Sequence, residues 1–170
     1  MRPAMISLEQ RADMVRDFAR SSVFDRTFKD GMALVDETAI YLDGSGRQEA
    51  KMLSRNAAAT HARLSIYLTT RLMQVASWLL VQKAVRDGDM TAMDACQGRY
   101  RLNQTGTEAI SLPVTALPPI LADLVERADR LYERIAHLDG RMYLDQAGSE
   151  DTNPVQAQFA RLYQAFDARP

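Results

Sequence analysis

Cysteine and histidine are scarce in this sequence of 170 residues, and their scarcity excludes several kinds of protein. Cys96 is the single cysteine, so no disulfide can form within the chain. A chain without disulfides is typical of a reducing compartment, and we expect a cytoplasmic location. No histidine lies near Cys96 in the sequence to activate its thiol, so we expect this side chain to be inert.

The two histidines, His61 and His137, are too few for an ordinary metal centre. Metal sites need three or four converging histidine, cysteine or acidic ligands. The His-Glu-x-x-His motif is absent, and Glu133 precedes His137 by four residues, whereas the di-iron helical motif spaces these residue types by three. We therefore predict no metal site and interpret both histidines as surface residues.

Motifs for nucleotide binding, calcium binding and covalent catalysis are also missing. Neither Gly-x-Ser-x-Gly nor a P-loop occurs. The Gly-Ser-Gly sequence at residues 44–46 follows a predicted helix rather than a strand, so it indicates a turn. Segment 87–98 has Ala92 where an EF-hand loop has glycine, and Gly98 where it has an acidic ligand. The sequence thus predicts no cofactor, no catalytic residue and no enzyme.

An excess of one charge is absent as well, since 21 basic residues face 22 acidic ones. Such a balance gives no overall field to attract nucleic acid or anionic lipid. The most apolar run, residues 69–85, is interrupted by Gln74 and Ser77 and carries Arg71 and Lys83 near its ends. A membrane span needs about 20 mostly apolar residues. We expect neither nucleic-acid binding nor membrane insertion.

The sequence is rich in helical periodicity. Apolar residues spaced alternately by three and four predict helices over 22–42 and 119–138. A third long helix is predicted over 54–86, and shorter ones over 8–20 and 91–97. Gly31 lies on the apolar side of the first long helix, where we expect close approach of a neighbouring helix. The predicted fold class is all-α, a three-helix bundle with a long central helix.

The central helix has apolar side chains on two nearly opposite faces. One face carries Leu64, Leu68, Leu72, Val75 and Leu79, and the other carries Ile66, Met73, Ser77, Leu80 and Ala84. A helix of this kind lies at the centre of a bundle, or is shared between a bundle and a partner subunit.

The sequence divides into a helical bundle domain, residues 1–143, and a polar linker with a C-terminal tail, residues 144–170. Asn153 and Pro154 predict the start of a short amphipathic helix in this otherwise polar tail. Its apolar stripe would dock either on a partner or back on its own bundle; the stripe includes Phe159, Leu162, Tyr163 and Phe166.

Two stretches, GMALVDETAIYLDGSGRQEAK (31–51) and YLTTRLMQVASWLLVQKAV (67–85), resemble the alphaproteobacterial family named for RcdA. RcdA stands for regulator of CtrA degradation, and the family is also filed as the domain of unknown function DUF1465. The resemblance implies a dimeric three-helix bundle without catalytic activity. It further implies a protease adaptor that works with ClpXP and a response-regulator partner to deliver regulatory proteins for degradation in cell-cycle control.

These considerations lead to the hypothesis of a homodimeric protein-interaction module. Its predicted dimer interface consists of Ile66, Met73, Ser77, Trp78, Leu80 and Ala84. Its predicted partner-binding residues are a basic group, Arg47, Lys51 and Arg55, together with the tail residues Phe159, Leu162, Tyr163 and Phe166.

A second hypothesis is a small-ligand sensor, or an enzyme, with a pocket between helices. It requires buried polar residues that converge on a cavity, and the candidates are His61, Tyr67, Thr69, Thr70 and His137. A dry core with a large apolar interface favours the adaptor, whereas a deep polar cavity favours the sensor.

Overall fold

The computed structural model describes residues 7–103 and 118–143, and this part of the chain contains six α-helices and no strand. A single 3-10 turn, Gly98–Tyr100, follows the fifth helix. The helices are α1 (Leu8–Ala19), α2 (Ser22–Asp43), α3 (Ser45–Met52), α4 (Arg55–Asp87), α5 (Ala92–Ala95) and α6 (Pro119–Tyr143).

The predicted all-α bundle with a long central helix is confirmed. α4 has 33 residues, about 50 Å at 1.5 Å per residue, and packs against α2 and α6 along its length. α1 and α5 also contact α4, and α1 contacts α6. α1 therefore packs as a fourth helix against the three long ones. It covers a part of α4 for which the sequence predicted no neighbour.

Serine caps fix the starts of three helices. Ser7 and Gln10 form a reciprocal capping box at the start of α1. The cap of α2 is Ser21, whose hydroxyl accepts the Phe24 backbone N–H at 3.2 Å. Ser54 caps α4, at the start predicted for this helix.

The C-terminal ends of the long helices follow different rules. α4 ends at Gly88, which has φ of 84°, a backbone conformation that favours glycine. α6 continues through Gly140 to Tyr143, so the predicted end near residue 138 is too early. Continuation costs about 1 kcal/mol of helix propensity at Gly140, and the buried Asp139 and Met142 hold this last turn against the bundle.

Helix α3 is the one α-helix of the described chain that the sequence did not predict. A single residue, Gly44, separates it from α2, so residues 44–46 form a tight corner between two helices rather than an open turn. A Cβ atom at Gly46 would lie 2.8 Å from the Tyr41 ring. The Tyr41 hydroxyl donates to Glu49 Oε2 at 2.7 Å across this corner. Burial, together with this hydrogen bond, raises the pKa of Tyr41.

Ion pairs connect the long helices at the surface. Arg127 of α6 donates to both carboxylate oxygens of Glu37 on α2, at 2.8 and 2.7 Å. This hydrogen bonding lowers the pKa of Glu37. Arg127 also pairs with Asp123 at 3.2 Å, as its spacing predicts, but the bond to α2 was not visible in the sequence. Because both partners of the Glu37 pair are substantially exposed, we expect it to contribute little stability.

Among the described residues, α4 alone is long and apolar enough to cross a membrane on length and composition, but 44% of its most apolar 18-residue window is buried inside the protein. Core helices of soluble bundles satisfy the same criteria. α4 also holds Arg71 and Gln82 in the interior of the bundle, against its neighbouring helices. One helix of this length and composition is therefore weak evidence for a membrane span.

Gly31 lies at a close contact between the three long helices. A Cβ atom built there would lie 2.7 Å from Leu79 of α4 and 3.6 Å from Leu131 of α6. Leu79 is completely buried, so it has little space into which to move. The close approach expected from the sequence is confirmed.

We predict that Gly31→Val lowers the free energy of unfolding by about 1–3 kcal/mol, because the added methyl groups overpack this contact. Urea denaturation followed by circular dichroism measures the change. The matched control is Ala33→Val, at an exposed position of the same helix, which should alter stability by less than about 0.5 kcal/mol. Equal effects of the two substitutions would show that the helices do not need a glycine here.

Candidate protein-interaction surface

A row of apolar side chains on α4 points into solvent. Ile66, Met73 and Leu80 are 68%, 65% and 53% exposed, and they recur every seven residues, which is about two helical turns. Ser77 is exposed between them, and Ala84 at the end of the row is half-buried. We call Ile66, Met73, Ser77 and Leu80 the α4 face. The structure thus places five of the six predicted interface residues along one accessible row.

Trp78 is the exception, and its assignment to the interface was wrong. It is 2% exposed and packs against Phe18 of α1, with ring centroids 5.6 Å apart. Its indole N–H donates to Asp139 Oδ1 at 2.9 Å. The prediction failed because position 78 was read without α1, which covers this side of the central helix.

An apolar groove runs along one side of the α4 face, between α2 and α4. Its volume is about 200 Å³, and Met73 forms part of its wall. The groove continues the exposed apolar surface from α4 towards α2, which widens the area available to a partner. Its lining consists of Val35, Thr38, Ala39, Leu42, Thr69, Leu72, Met73 and Ala76.

A second groove, of about 490 Å³, lies on the side of α4 that faces residues 99–103. We call it the Arg99 groove. Met73 belongs to its wall too, so the α4 face lies between two depressions of different character. Its lining consists of Thr70, Met73, Gln74, Ser77, Trp78, Val81, Arg99, Tyr100, Arg101 and Asn103.

Asp139 of α6 holds the outer wall of the Arg99 groove in place. This carboxylate is 1% exposed and accepts the Leu102 backbone N–H at 3.3 Å, in addition to the indole N–H of Trp78. Arg101 approaches its second oxygen at 3.4 Å. The sequence did not predict this role, because an Asp-Gly pair near the end of a helix usually indicates that the helix ends there. It gives no sign that the aspartate is a buried hydrogen-bond acceptor.

Another buried polar cluster joins α4 to α6. The Tyr67 hydroxyl donates to Asp129 Oδ1 at 2.7 Å, and Arg71 Nε lies 3.1 Å from the same oxygen. The Arg71 guanidinium also lies over the Tyr132 ring, 3.9 Å from its centroid, in a cation–π contact. Burial and the hydrogen bond to Asp129 raise the pKa of Tyr67. These contacts give the Tyr67 hydroxyl and Arg71 Nε partners within the chain, whereas Arg71 Nη1 is buried without a hydrogen-bond partner.

The residues that a ligand sensor would need do not share either of the two grooves described above. Thr69 and Thr70 donate to carbonyl oxygens of their own helix and line different grooves. His137 is exposed on α6, whereas His61 is buried on α4, so the interpretation of both as surface histidines is wrong for His61. The two grooves described above contain none of Tyr67, His61 and His137.

The basic residues predicted to bind a partner lie at the corner formed by α3 and the start of α4. Arg47, Lys51 and Arg55 are all exposed, and Arg47 pairs with Asp43 at 3.4 Å. Met52, 87% exposed, lies among them in the sequence and adds an apolar side chain to this corner. The predicted tail residues Phe159, Leu162, Tyr163 and Phe166 lie outside the described residues.

Groups that could support metal or thiol chemistry are dispersed. Within residues 7–103 and 118–143, no three histidine, cysteine or acidic side chains are grouped to hold a metal ion. Cys96 is 2% exposed, and burial raises the pKa of its thiol. A buried thiol with a raised pKa is a poor nucleophile.

Comparison with known proteins places the chain in a family. The profile of the family described as Protein of unknown function (DUF1465) matches residues 15–166, which is most of the sequence. The chain belongs to this family.

A crystal structure of RcdA from Caulobacter crescentus CB15 is similar to this DUF1465 protein. The two chains share 56% sequence identity, and their structures superpose with a TM-score of 0.63. The match covers 76% of this chain and 98% of the RcdA chain. The resemblance to RcdA inferred from residues 31–51 and 67–85 is confirmed. No match was found among curated proteins.

We predict that Asp139→Ala lowers the free energy of unfolding by at least about 2 kcal/mol, because it leaves the Trp78 and Leu102 N–H groups buried without an acceptor. Asp139→Asn keeps one acceptor oxygen and should therefore lower the free energy of unfolding by less than Asp139→Ala does. The control is Asp36→Ala at an exposed position of α2. Urea denaturation of the three variants checks the prediction, and it is contradicted if Asp139→Ala is no more destabilising than Asp36→Ala.

Proposed function

We propose that this protein is a non-catalytic, homodimeric adaptor that helps deliver regulatory proteins to the ClpXP protease in cell-cycle control. The observation that carries the proposal is the α4 face, a row of large apolar side chains exposed on the central helix of an otherwise well-packed bundle. Exposed apolar surface of this kind marks sites of protein–protein contact. Membership of the DUF1465 family and the similarity to RcdA support a role related to that of RcdA. We infer a cytoplasmic location from the single cysteine, which suits a reducing compartment.

The α4 face suits a two-fold symmetric contact. Ile66 and Leu80 lie at equal distances along the helix on either side of Met73. When two copies of α4 cross antiparallel at Met73, Ile66 of each copy therefore meets Leu80 of the partner subunit. In a two-fold interface each contact occurs twice, so one favourable pair gives two. In this antiparallel arrangement the dipoles of the two helices point in opposite directions, which is electrostatically favourable.

Magnitudes indicate that these three side chains do not suffice alone. Burying each one contributes about 1–2 kcal/mol, which gives on the order of 6–12 kcal/mol for two copies. Association costs a comparable 4–15 kcal/mol or so in lost translational and rotational freedom. The apolar groove between α2 and α4 must therefore also be covered, and we place it in the same interface.

Partner binding in this proposal uses a different part of the molecule. Arg47, Lys51 and Arg55 offer positive charge at the corner of α3 and α4, which suits an acidic surface such as that of a response-regulator partner. The tail stripe of Phe159, Leu162, Tyr163 and Phe166 would supply a helix-in-groove contact to cargo or protease.

We predict that replacing Met73 and Leu80 together by aspartate converts the dimer into monomers that remain fully helical. The side chains are more than half exposed within one subunit, so only association should suffer. Sedimentation velocity at several concentrations measures the change, and circular dichroism checks the fold. Met52→Asp, at an exposed position on α3, is the control and should stay dimeric. A dimeric Met73/Leu80 variant would refute this interface.

The adaptor role is tested by affinity capture from a lysate of the source organism, with the full-length protein as bait. We expect recovery of the unfoldase ClpX, a protein with a receiver domain and short-lived regulators. Purified ClpXP should then degrade a recovered regulator faster when the adaptor is added. Recovery of the bait alone, or degradation rates that the protein does not change, would contradict the adaptor role.

A further inference from the structure

We propose that the Arg99 groove binds a short acidic segment of a partner protein, through its carboxylates at Arg99 and an apolar residue on the groove floor. The inference rests on the proposed adaptor function and assigns a recognition chemistry to one surface of it. Three properties of the groove carry it: the nature of its lining, the rigidity of its wall, and the exposed charge at its rim.

The lining combines an apolar floor with basic and aromatic walls. Val81 supplies apolar surface from α4 beside Met73, which the groove shares with the α4 face; Trp78 also borders the groove but is only 2% exposed. Arg99 and Arg101 supply positive charge from the facing segment. Among the described residues that line this groove, none carries a carboxylate. Asp139, which approaches Arg101, is 1% exposed and thus cannot meet a ligand. A cavity with an apolar floor and one sign of charge selects a ligand that is apolar and of the opposite charge.

The segment that follows the charged residues is tied to α6 by two hydrogen bonds. Asp139 accepts the Leu102 backbone N–H at 3.3 Å, and the Tyr132 hydroxyl donates to the Asn103 carbonyl oxygen at 3.3 Å. Both bonds tie residues 102–103 to α6. A wall held in this way loses little conformational entropy when a ligand binds, which increases affinity.

Arg99 is the group positioned to contact a carboxylate. Its guanidinium lies over the Tyr100 ring, 4.7 Å from the centroid, and the residue is exposed. It forms no salt bridge with the acidic residues of the described chain. Stacking on an aromatic ring restricts the side chain and leaves its N–H donors free for the bidentate bonds that arginine makes with carboxylates.

The same features argue for a protein segment rather than nucleic acid. Nucleic-acid grooves follow several phosphates with many basic groups, whereas this groove presents a single exposed guanidinium above an apolar floor. The volume of about 490 Å³ lies in the range of sites that take a few side chains. A peptide with an apolar anchor and neighbouring aspartate or glutamate residues fits both the shape and the charge.

Selection of random dodecapeptides on the full-length protein tests the proposal. We expect the selected peptides to share acidic residues next to an apolar one. Fluorescence anisotropy should show that their affinity falls about tenfold or more in Arg99→Glu, and that it weakens with salt. The matched control is Arg26→Glu, at an exposed position of α2, which should bind as the unaltered protein does.

Three outcomes would overturn the inference: no enrichment of any peptide, a consensus without acidic residues, or acidic peptides whose affinity Arg99→Glu does not change. Sedimentation of Arg99→Glu distinguishes a failure of this inference from a failure of the dimer proposal. We expect the variant to lose peptide affinity but to remain dimeric. A monomeric Arg99→Glu would place the groove inside the interface between subunits and would overturn the inference as well.

Discussion

Leu68, Val75 and Leu79 of α4 are completely buried, and the packing around them brings α2 and α6 together. Leu79 and Val75 both lie within 4.0 Å of the position that a Cβ atom would take at Gly31, so this contact sets the distance between α2 and α4. Burial of such side chains contributes about 1.5–3 kcal/mol each. The remaining features of the molecule depend on the orientation that this packing imposes on the central helix.

Once that orientation is fixed, none of the described helices covers the other side of α4. Phe18 and α1 cover Trp78, and the segment held by Asp139 borders the helix near Ser77 and Val81. Ile66, Met73 and Leu80 remain exposed, with an apolar groove on one side and a basic, aromatic groove on the other. An uncovered apolar row on the central helix is the physical basis of the proposed binding module, and the described residues of the two grooves are not arranged for catalysis.

Much of this arrangement can be predicted from the sequence, because it follows from local periodicity. The seams of α2, α4 and α6, the cap of α1 at Ser7 and the close approach at Gly31 all derive from residue spacing and propensity. The two faces of α4 were also visible, since both are apolar at the helical repeat. The resemblance of two short stretches to RcdA was enough to identify the family. It gave no information on how the helices pack.

What the sequence could not supply depends on contacts between distant residues. α3 was missed because its start lies within a Gly-Ser-Gly turn signal, and it is held by the contact of Tyr41 with Gly46 and Glu49. Trp78 was placed on the wrong surface because its partner Asp139 is 61 residues away. The pair of Glu37 with Arg127 spans 90 residues for the same reason. Local patterns carry no information on such pairings.

The central claim is that two copies of this chain meet through the α4 face, and distances between spin labels test it most directly. In a Cys96→Ala background, a single spin label is placed at position 66, 73 or 80. The distance measured is the one between the label in one subunit and the same label in the partner subunit. An antiparallel contact at Met73 predicts the shortest distance for 73 and longer, equal distances for 66 and 80, about 21 Å apart along the axis. Three equally short distances would contradict the antiparallel geometry, and the absence of any dipolar coupling would contradict the interface itself.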